Sequence, residues 1–234
     1  MIELVPFNSL GRFENEWLSA RYHFSFAEYF DPRRMGFGPL RVWNDDRIRP
    51  GNGFPMHGHR DMEIITYVRK GAVSHQDHLG NRGRTEAGDV QVMSAGKGIM
   101  HAEYNLEEDD TELFQIWIEP AHKNVKPRWA ARQFPKDARA DKLQVLASGR
   151  PEDRGGDGLE IHQDAALLGA TVAKGKQLSH ALGLGRRAYL VVARGRVKIG
   201  NVEVGPRDGA AIQDLYEIRI EALEESEILL ADLP

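Results

Sequence analysis

Short apolar runs, each closed off by glycine or proline, recur along this chain and restrict its fold more than any other feature. Met62–Val68 comes before Gly71, Val90–Met93 before Gly96, and Leu113–Ile118 before Pro120. In the second half Tyr189–Ala193 comes before Gly195 and Val197–Ile199 before Gly200, with a further run at Glu217–Ala222. The runs are rich in Val, Ile, Tyr and Phe and end at turn formers, the pattern of an all-β sandwich or barrel. Helical periodicity is confined to Glu14–Ala20 and a short stretch at Ala130–Arg132, the two segments predicted as helical.

A chain of 234 residues holds one large domain or two small ones, at roughly 100–200 residues each. Between Glu119 and Asp157 it becomes polar and loop-rich (EPAHKNVKPRW, PKDARADK, GRPEDRGGDG), with one strand at Leu143–Ala147. The boundary is placed near Phe134, giving domains 1–133 and 134–234. Both read as glycine-punctuated β domains, which fits a degenerate duplication. The N-terminal segment lacks the continuous apolar core of a signal peptide, and no apolar run approaches a membrane span. These features predict a soluble, cytoplasmic protein without membrane association.

The chain has no cysteine. Disulfides, thiolate metal sites and cysteine nucleophiles are therefore excluded, and any metal must be held by nitrogen and oxygen. His57 and His59, in GNGFPMHGHRDMEIITYVRKG, are two residues apart. On a strand such a pair shares a face, so both imidazoles can meet one ion inside a barrel. His101 and Glu103, in AGDVQVMSAGKGIMHAEYN, repeat that spacing. Antiparallel pairing would bring the second pair opposite the first. Glu63 has the same parity as His57 and His59 if the strand runs unbroken, and parity alone does not choose between Glu63 and Glu103 as the fourth ligand. Such a donor set suits Fe(II), Mn, Co, Ni, Cu or Zn. It would leave coordination positions open for chemistry.

These two segments resemble the cupin motifs. Gly51, His57, His59 and Glu63 fit the first; Gly88, Gly96, His101 and Asn105 fit the second. Ser94 stands where proline is usual, and two extra residues precede His101. With the turn DHLGN and the segment HFSFAEYFDPRRMGFGPLRVWNDDRI, those departures resemble the pirin family, in its bacterial branch, over about His23 to Ile118. The resemblance implies a bicupin, two jelly-roll β-sandwich barrels packed together. It implies one divalent transition metal, Fe(II) foremost with Cu, Mn, Co, Ni or Zn as alternatives, held by His57, His59, His101 and Glu103. Glu63 then becomes a pocket residue.

The resemblance also implies a quercetin 2,3-dioxygenase, with a flavonol-like aromatic substrate, dioxygen, and Glu103 or Glu63 as catalytic base. The alternative from another class is a metal-containing regulatory or binding protein with a protein partner. Net charge is −4 with both signs interspersed, so direct nucleic-acid binding is not expected. Phe54, Met56, Tyr104 and Trp117 are candidates for an aromatic-accepting pocket, against a plain core role. Gln115 interrupts an apolar strand and either contacts ligand or bonds to backbone or solvent. His75 and His78, flanking Asp77 in a turn, read as surface residues, and His23 as a packed core histidine. The second half offers only His162 and His180, and is predicted to carry no metal.

Overall fold

The computed structural model describes all 234 residues. A first strand, β1 (Ile2–Val5), is followed by β2 (Gly11–Glu14), β3 (Leu18–Tyr22), β4 (Leu40–Ile48), β5 (Gly53–His59), β6 (Glu63–Lys70), β7 (Ala72–Asp77), β8 (Arg82–Glu86), β9 (Val90–Ser94), β10 (Ile99–Tyr104), β11 (Thr111–Ile118) and β12 (Arg128–Arg132). Then come β13 (Gln144–Ser148), β14 (Leu159–Glu160), β15 (Ala166–Val172), β16 (Gln177–Ala181), β17 (Arg187–Arg194), β18 (Val197–Ile199), β19 (Val202–Val204), β20 (Gly209–Gln213), β21 (Glu217–Ala222) and β22 (Ser226–Leu233). Only short 3-10 turns supplement the strands. No helix is long and apolar enough to cross a membrane.

Both helices predicted from sequence are strands. Across Glu14–Ala20 the Asn15 side chain accepts hydrogen bonds from the Trp17 and Leu18 amides at 3.0 and 2.7 Å. That Asx turn closes the β2–β3 hairpin. Leu18, Ala20 and Tyr22 are then buried on alternate positions, a period of two. Ala130–Arg132 lies in β12, paired with β9.

The chain divides into two compact units. Gly11–Phe134 with Leu159–Gln163 form the first, and Met1–Leu10, Pro135–Gly158 and Asp164–Pro234 form the second. The division departs from a single cut at 133/134. Strand β1 pairs with β20, Ile2 opposite Ile212, which takes the first ten residues into the second unit.

The first unit is a sandwich of two antiparallel sheets, ordered β12-β9-β6-β11-β4-β3-β2 and β5-β10-β7-β8. Inside it Leu18, Ile48, Val68, Val73 and Leu113 form one apolar cluster, and Ile64, Met93, Ala95 and Ile99 another. The second unit is also a sandwich. Strands β1-β20-β17-β22-β15-β13 run along one sheet and β16-β21-β18-β19 form the other. A single apolar cluster, including Leu168, Leu190, Ile218 and Leu230, fills it.

Candidate metal centre

The small sheet of the first unit sets out the candidate ligands. Strand β10 lies between β5 and β7, with His101 opposite His57 on one side and Asp77 on the other, and Glu103 opposite His75. Residues directly opposite share a sheet face, so five polar side chains converge inside the sandwich. Between His101 and Glu103 the β5 register slips, so that Glu103 faces Phe54. This bulge bends β5, as bulges beside functional sites do. At its base the backbones approach closely: a Cβ on Gly53 would collide with the Glu103 carbonyl oxygen and the Tyr104 Cα.

His57, His59 and His101 form a triangle with ring centroids 4.5–4.9 Å apart. Hydrogen bonds assign the nitrogens. His57 Nδ1 lies 2.7 Å from the Pro55 carbonyl oxygen and donates to it, leaving a lone pair on Nε2. That Nε2 is 3.1 Å from His101 Nε2. His101 Nδ1 faces His75 Nδ1 at 3.4 Å, and His75 Nε2 faces Asp77 Oδ2 at 3.2 Å. Asp77 is an acceptor, so the proton order Asp77–His75–His101 leaves His101 Nε2 with its lone pair turned toward His57. Burial alone would raise the Asp77 carboxyl. Hydrogen bonds from Asn81, His75 and the Leu79 amide outweigh burial and hold it below the ordinary range. His75 is further fixed by stacking on Trp129, centroids 4.8 Å apart and planes 8° from parallel.

Burial, reinforced by the neighbouring imidazoles, lowers His59 to about 4 and His101 to about 3. Both rings are therefore neutral near pH 7 and can donate lone pairs. His59 Nε2 is buried without any hydrogen-bond partner. An orphaned imidazole nitrogen beside two inward-facing lone pairs is a cation-accepting arrangement.

The large sheet holds the carboxylate. Tyr22, Asn44, Gln115, Thr66 and Gln91 stand opposite one another across β3, β4, β11, β6 and β9, a polar row on the inner face. Glu103 receives Gln91 Nε2 at 2.6 Å and Thr66 Oγ1 at 3.4 Å on Oε1, and Gln115 Nε2 at 2.8 Å on Oε2. Each glutamine is held in turn: Thr85 Oγ1 donates to Gln91 Oε1 at 3.0 Å and Trp117 Nε1 to Gln115 Oε1 at 3.2 Å. Both amide NH2 groups are thereby aimed at Glu103.

A cavity of about 320 Å³ opens beside the histidines. Leu18, Phe26, Phe54, Pro55 and Trp117 give it apolar walls; His57 and His59, together with Tyr22, Asn44, Asp46 and Gln115, add polar ones. Its volume is at the lower end of small-molecule sites.

The structure thus brings His57, His59, His101 and Glu103 into one interior, and removes Glu63 from it. Shared parity implies a shared face only along an unbroken strand. Instead β5 ends at His59, Asp61 takes a left-handed φ of 47°, and β6 starts at Glu63 in the other sheet. On β6 the inward residue is Thr66, so Glu63 faces the opposite side. It accepts a 2.7 Å hydrogen bond from Ser94, and burial raises its carboxyl.

Other sequence expectations also shift. His75 is 3% exposed, not a surface residue, and Asp77 beside it is 8% exposed, whereas His78 is exposed as expected; register with Glu103 and His101 is the signal that single-strand parity does not supply. Gln115 bonds to Glu103 rather than to backbone or solvent. Phe54 and Trp117 line the cavity, whereas Met56 is exposed and Tyr104 lines a separate hollow beside Arg82 and Arg84. His23 is buried. His162 belongs to the first unit, and His180 in the second lies 2.8 Å from Asp232.

Comparison with known proteins agrees with this architecture. A family model described as Pirin matches residues 6–118, and one described as Quercetinase C-terminal cupin domain matches residues 145–233. A pirin-like protein of Caulobacter vibrioides is 55% identical, with 99% of each chain covered. A protein of Escherichia coli K12 named quercetin 2,3-dioxygenase is 44% identical, with 100% of this chain and 99% of that one covered. Among solved structures, a bacterial pirin from Escherichia coli in complex with nickel(II) superposes with a TM-score of 0.93 at 42% identity, covering 100% of this chain and 99% of the other.

Proposed function

Since the chain belongs to the pirin family, we propose that it is a metal-dependent dioxygenase acting on a flavonol such as quercetin, with the metal held by His57, His59, His101 and Glu103. The observation that carries this reading is the orphaned Nε2 of His59 beside the lone-pair nitrogens of His57 and His101, at the wall of an aromatic-lined cavity. Fe(II) is the foremost candidate metal. A relative's structure with nickel(II) supports a site for a divalent transition ion. When bound, the metal supplies Lewis acidity and a template for the hydroxy-ketone edge of a flavonol.

The chain's own groups do the rest. Phe26, Phe54 and Trp117 offer ring faces and edges to a flat aromatic nucleus and exclude water from the reacting face. Glu103 is the group we assign to take the 3-hydroxyl proton, because Gln115 links its Oε2 to the cavity wall. Fixed glutamine donors keep that carboxylate in place through the transfer, so little reorganisation accompanies it. Glu63 has no part in this assignment.

Oxygen uptake by Fe(II)-loaded protein tests the reading. Quercetin should support it, and an analogue without the 3-hydroxyl should not. Equal uptake with both compounds, or uptake unchanged after metal removal, would reject it.

A further inference from the structure

The polar row extends beyond the donors that hold Glu103. Tyr22 and Asn44, together with Asp46 two residues along β4, line the cavity. Asn44 and Asp46 share a face of the strand and are 4% and 3% exposed. In each, Oδ1 is buried without a hydrogen-bond partner. A buried acceptor lacking a donor destabilises a fold. Two of them side by side in the wall of a ligand cavity are explained if the donor arrives with the ligand.

The lining defines which ligand. Burial, with Asp45 and Glu103 nearby, pushes the Asp46 carboxyl well above the ordinary carboxylate range. Tyr22 is pushed up to about 12 by burial and by Asp46. No Lys or Arg lines the cavity to welcome a carboxylate or phosphate; the unpartnered Oδ1 atoms of Asn44 and Asp46 can accept from hydroxyl groups, and the neutral Asp46 carboxyl and the Tyr22 phenol each keep a proton that a hydroxyl oxygen can accept. Phe26 and Phe54 line the same cavity.

We propose that Asn44 and Asp46 form a recognition wall for hydroxyl groups of an uncharged, polyhydroxylated aromatic ligand. The inference rests on the flavonol reading above and adds which part of the ligand is read: hydroxyls other than the chelating one. Such residues decide among flavonols by their ring substitution.

The test uses nickel(II)-loaded full-length protein without oxygen, with binding followed by quenching of tryptophan fluorescence. Quercetin carries hydroxyls on its pendant ring; galangin has the same chelating edge and an unsubstituted pendant ring. Wild type should bind quercetin about tenfold more tightly, the worth of one or two buried hydrogen bonds. Asp46→Leu should lose that preference, and Asp46→Asn, which keeps an acceptor, should retain most of it. Asp46→Leu should also melt higher than wild type, because it removes an unpaired buried group; a purely structural role for Asp46 gives the opposite sign.

Equal wild-type affinities, or no binding of either compound, would overturn the proposal, as would a preference that survives in both Asp46→Leu and Asn44→Leu. If one leucine variant fails to fold, the other and Asp46→Asn decide the outcome. Luteolin, which keeps the pendant hydroxyls but lacks the 3-hydroxyl, separates the two readings. Tight luteolin binding that still depends on Asp46 would remove the chelation step and leave the recognition wall standing.

Discussion

Across the large sheet of the second unit, Ala210, Leu190, Leu230 and Leu168 stand opposite one another on β20, β17, β22 and β15, all within one apolar cluster. In the first unit the corresponding inner face carries Tyr22, Asn44, Gln115, Thr66 and Gln91. That row splits the interior. Along β6, Ile64 lies in one apolar cluster and Val68 in another, with Thr66 between them; along β11, Gln115 separates Leu113 from Trp117 in the same way. A sandwich of this kind therefore closes well on leucine. In the first unit two amides of that row, Gln91 and Gln115, hold Glu103 by hydrogen bonds instead of closing an apolar core.

Exchanging the two chemistries should produce the largest effect. Leu230→Gln places an amide among apolar side chains with no partner, and we expect a loss of about 3–5 kcal/mol. The reciprocal Gln115→Leu removes the donor to Glu103 Oε2 and the acceptor of Trp117 Nε1 and should cost about 1–3 kcal/mol. Urea unfolding of both variants checks the asymmetry. Similar losses would mean that the polar row supports the fold as much as the leucines do.

A second experiment sharpens the contrast inside the first unit, where distance from the histidine triangle should grade metal affinity. Glu103→Ala removes a proposed ligand and should give the greatest loss in a competition titration with a chelator. His75→Phe keeps the stacking on Trp129 but breaks the Asp77–His75–His101 proton order. Loss of such an outer partner weakens metal binding about 10–100-fold. Glu63→Ala, on the far face of β6, should leave affinity within about twofold of wild type. A Glu63 effect larger than that of Glu103 would reverse the ligand assignment.

The contrast between the units was partly legible in the sequence. Alternation within a strand placed His57 beside His59 and His101 beside Glu103, because a period of two needs no knowledge of partners. Glycine punctuation gave the all-β class. What the sequence concealed depends on pairing between strands. Gln91, Thr66 and Gln115 lie on β9, β6 and β11, and nothing local announces that they stand in one row. His75 reads as a turn residue until its position opposite Glu103 is known. Glu63 misled because the parity argument ran across Asp61, whose left-handed backbone ends one strand before the next begins. Glu14–Ala20 misled because alternation over so few residues also fits a helical stripe, and only the Asx turn at Asn15 decides it.

The smallest expected effect concerns acid, and it too should separate the units. In the first, His59 and His101 are lowered to about 4 and about 3 by burial and by neighbouring imidazoles, His101 and His57 for the former, His57 and His75 for the latter. An unfolded imidazole titrates near 6.5. Between that value and the folded ones the unfolded chain binds more protons, so stability falls as pH falls. The loss begins near pH 6.5 and is complete only below the folded values. At pH 6 the two groups together should weaken the metal-free first unit roughly tenfold in its opening equilibrium.

In the second unit Asp232 behaves differently. Burial would raise it, but His180 and Arg186 outweigh that and hold it below the ordinary carboxylate value. Its contribution is therefore intact above about pH 4 and is lost only as pH drops through the lowered folded value. Hydrogen exchange, corrected for its intrinsic pH dependence, should then show β6, β10 and β11 losing protection between pH 7 and pH 5 while β17 and β22 keep theirs. His101→Phe should flatten the first response without touching the second. Parallel loss in both units over that range would mean that they open together, and that the histidine interior does not set the acid sensitivity of its own barrel.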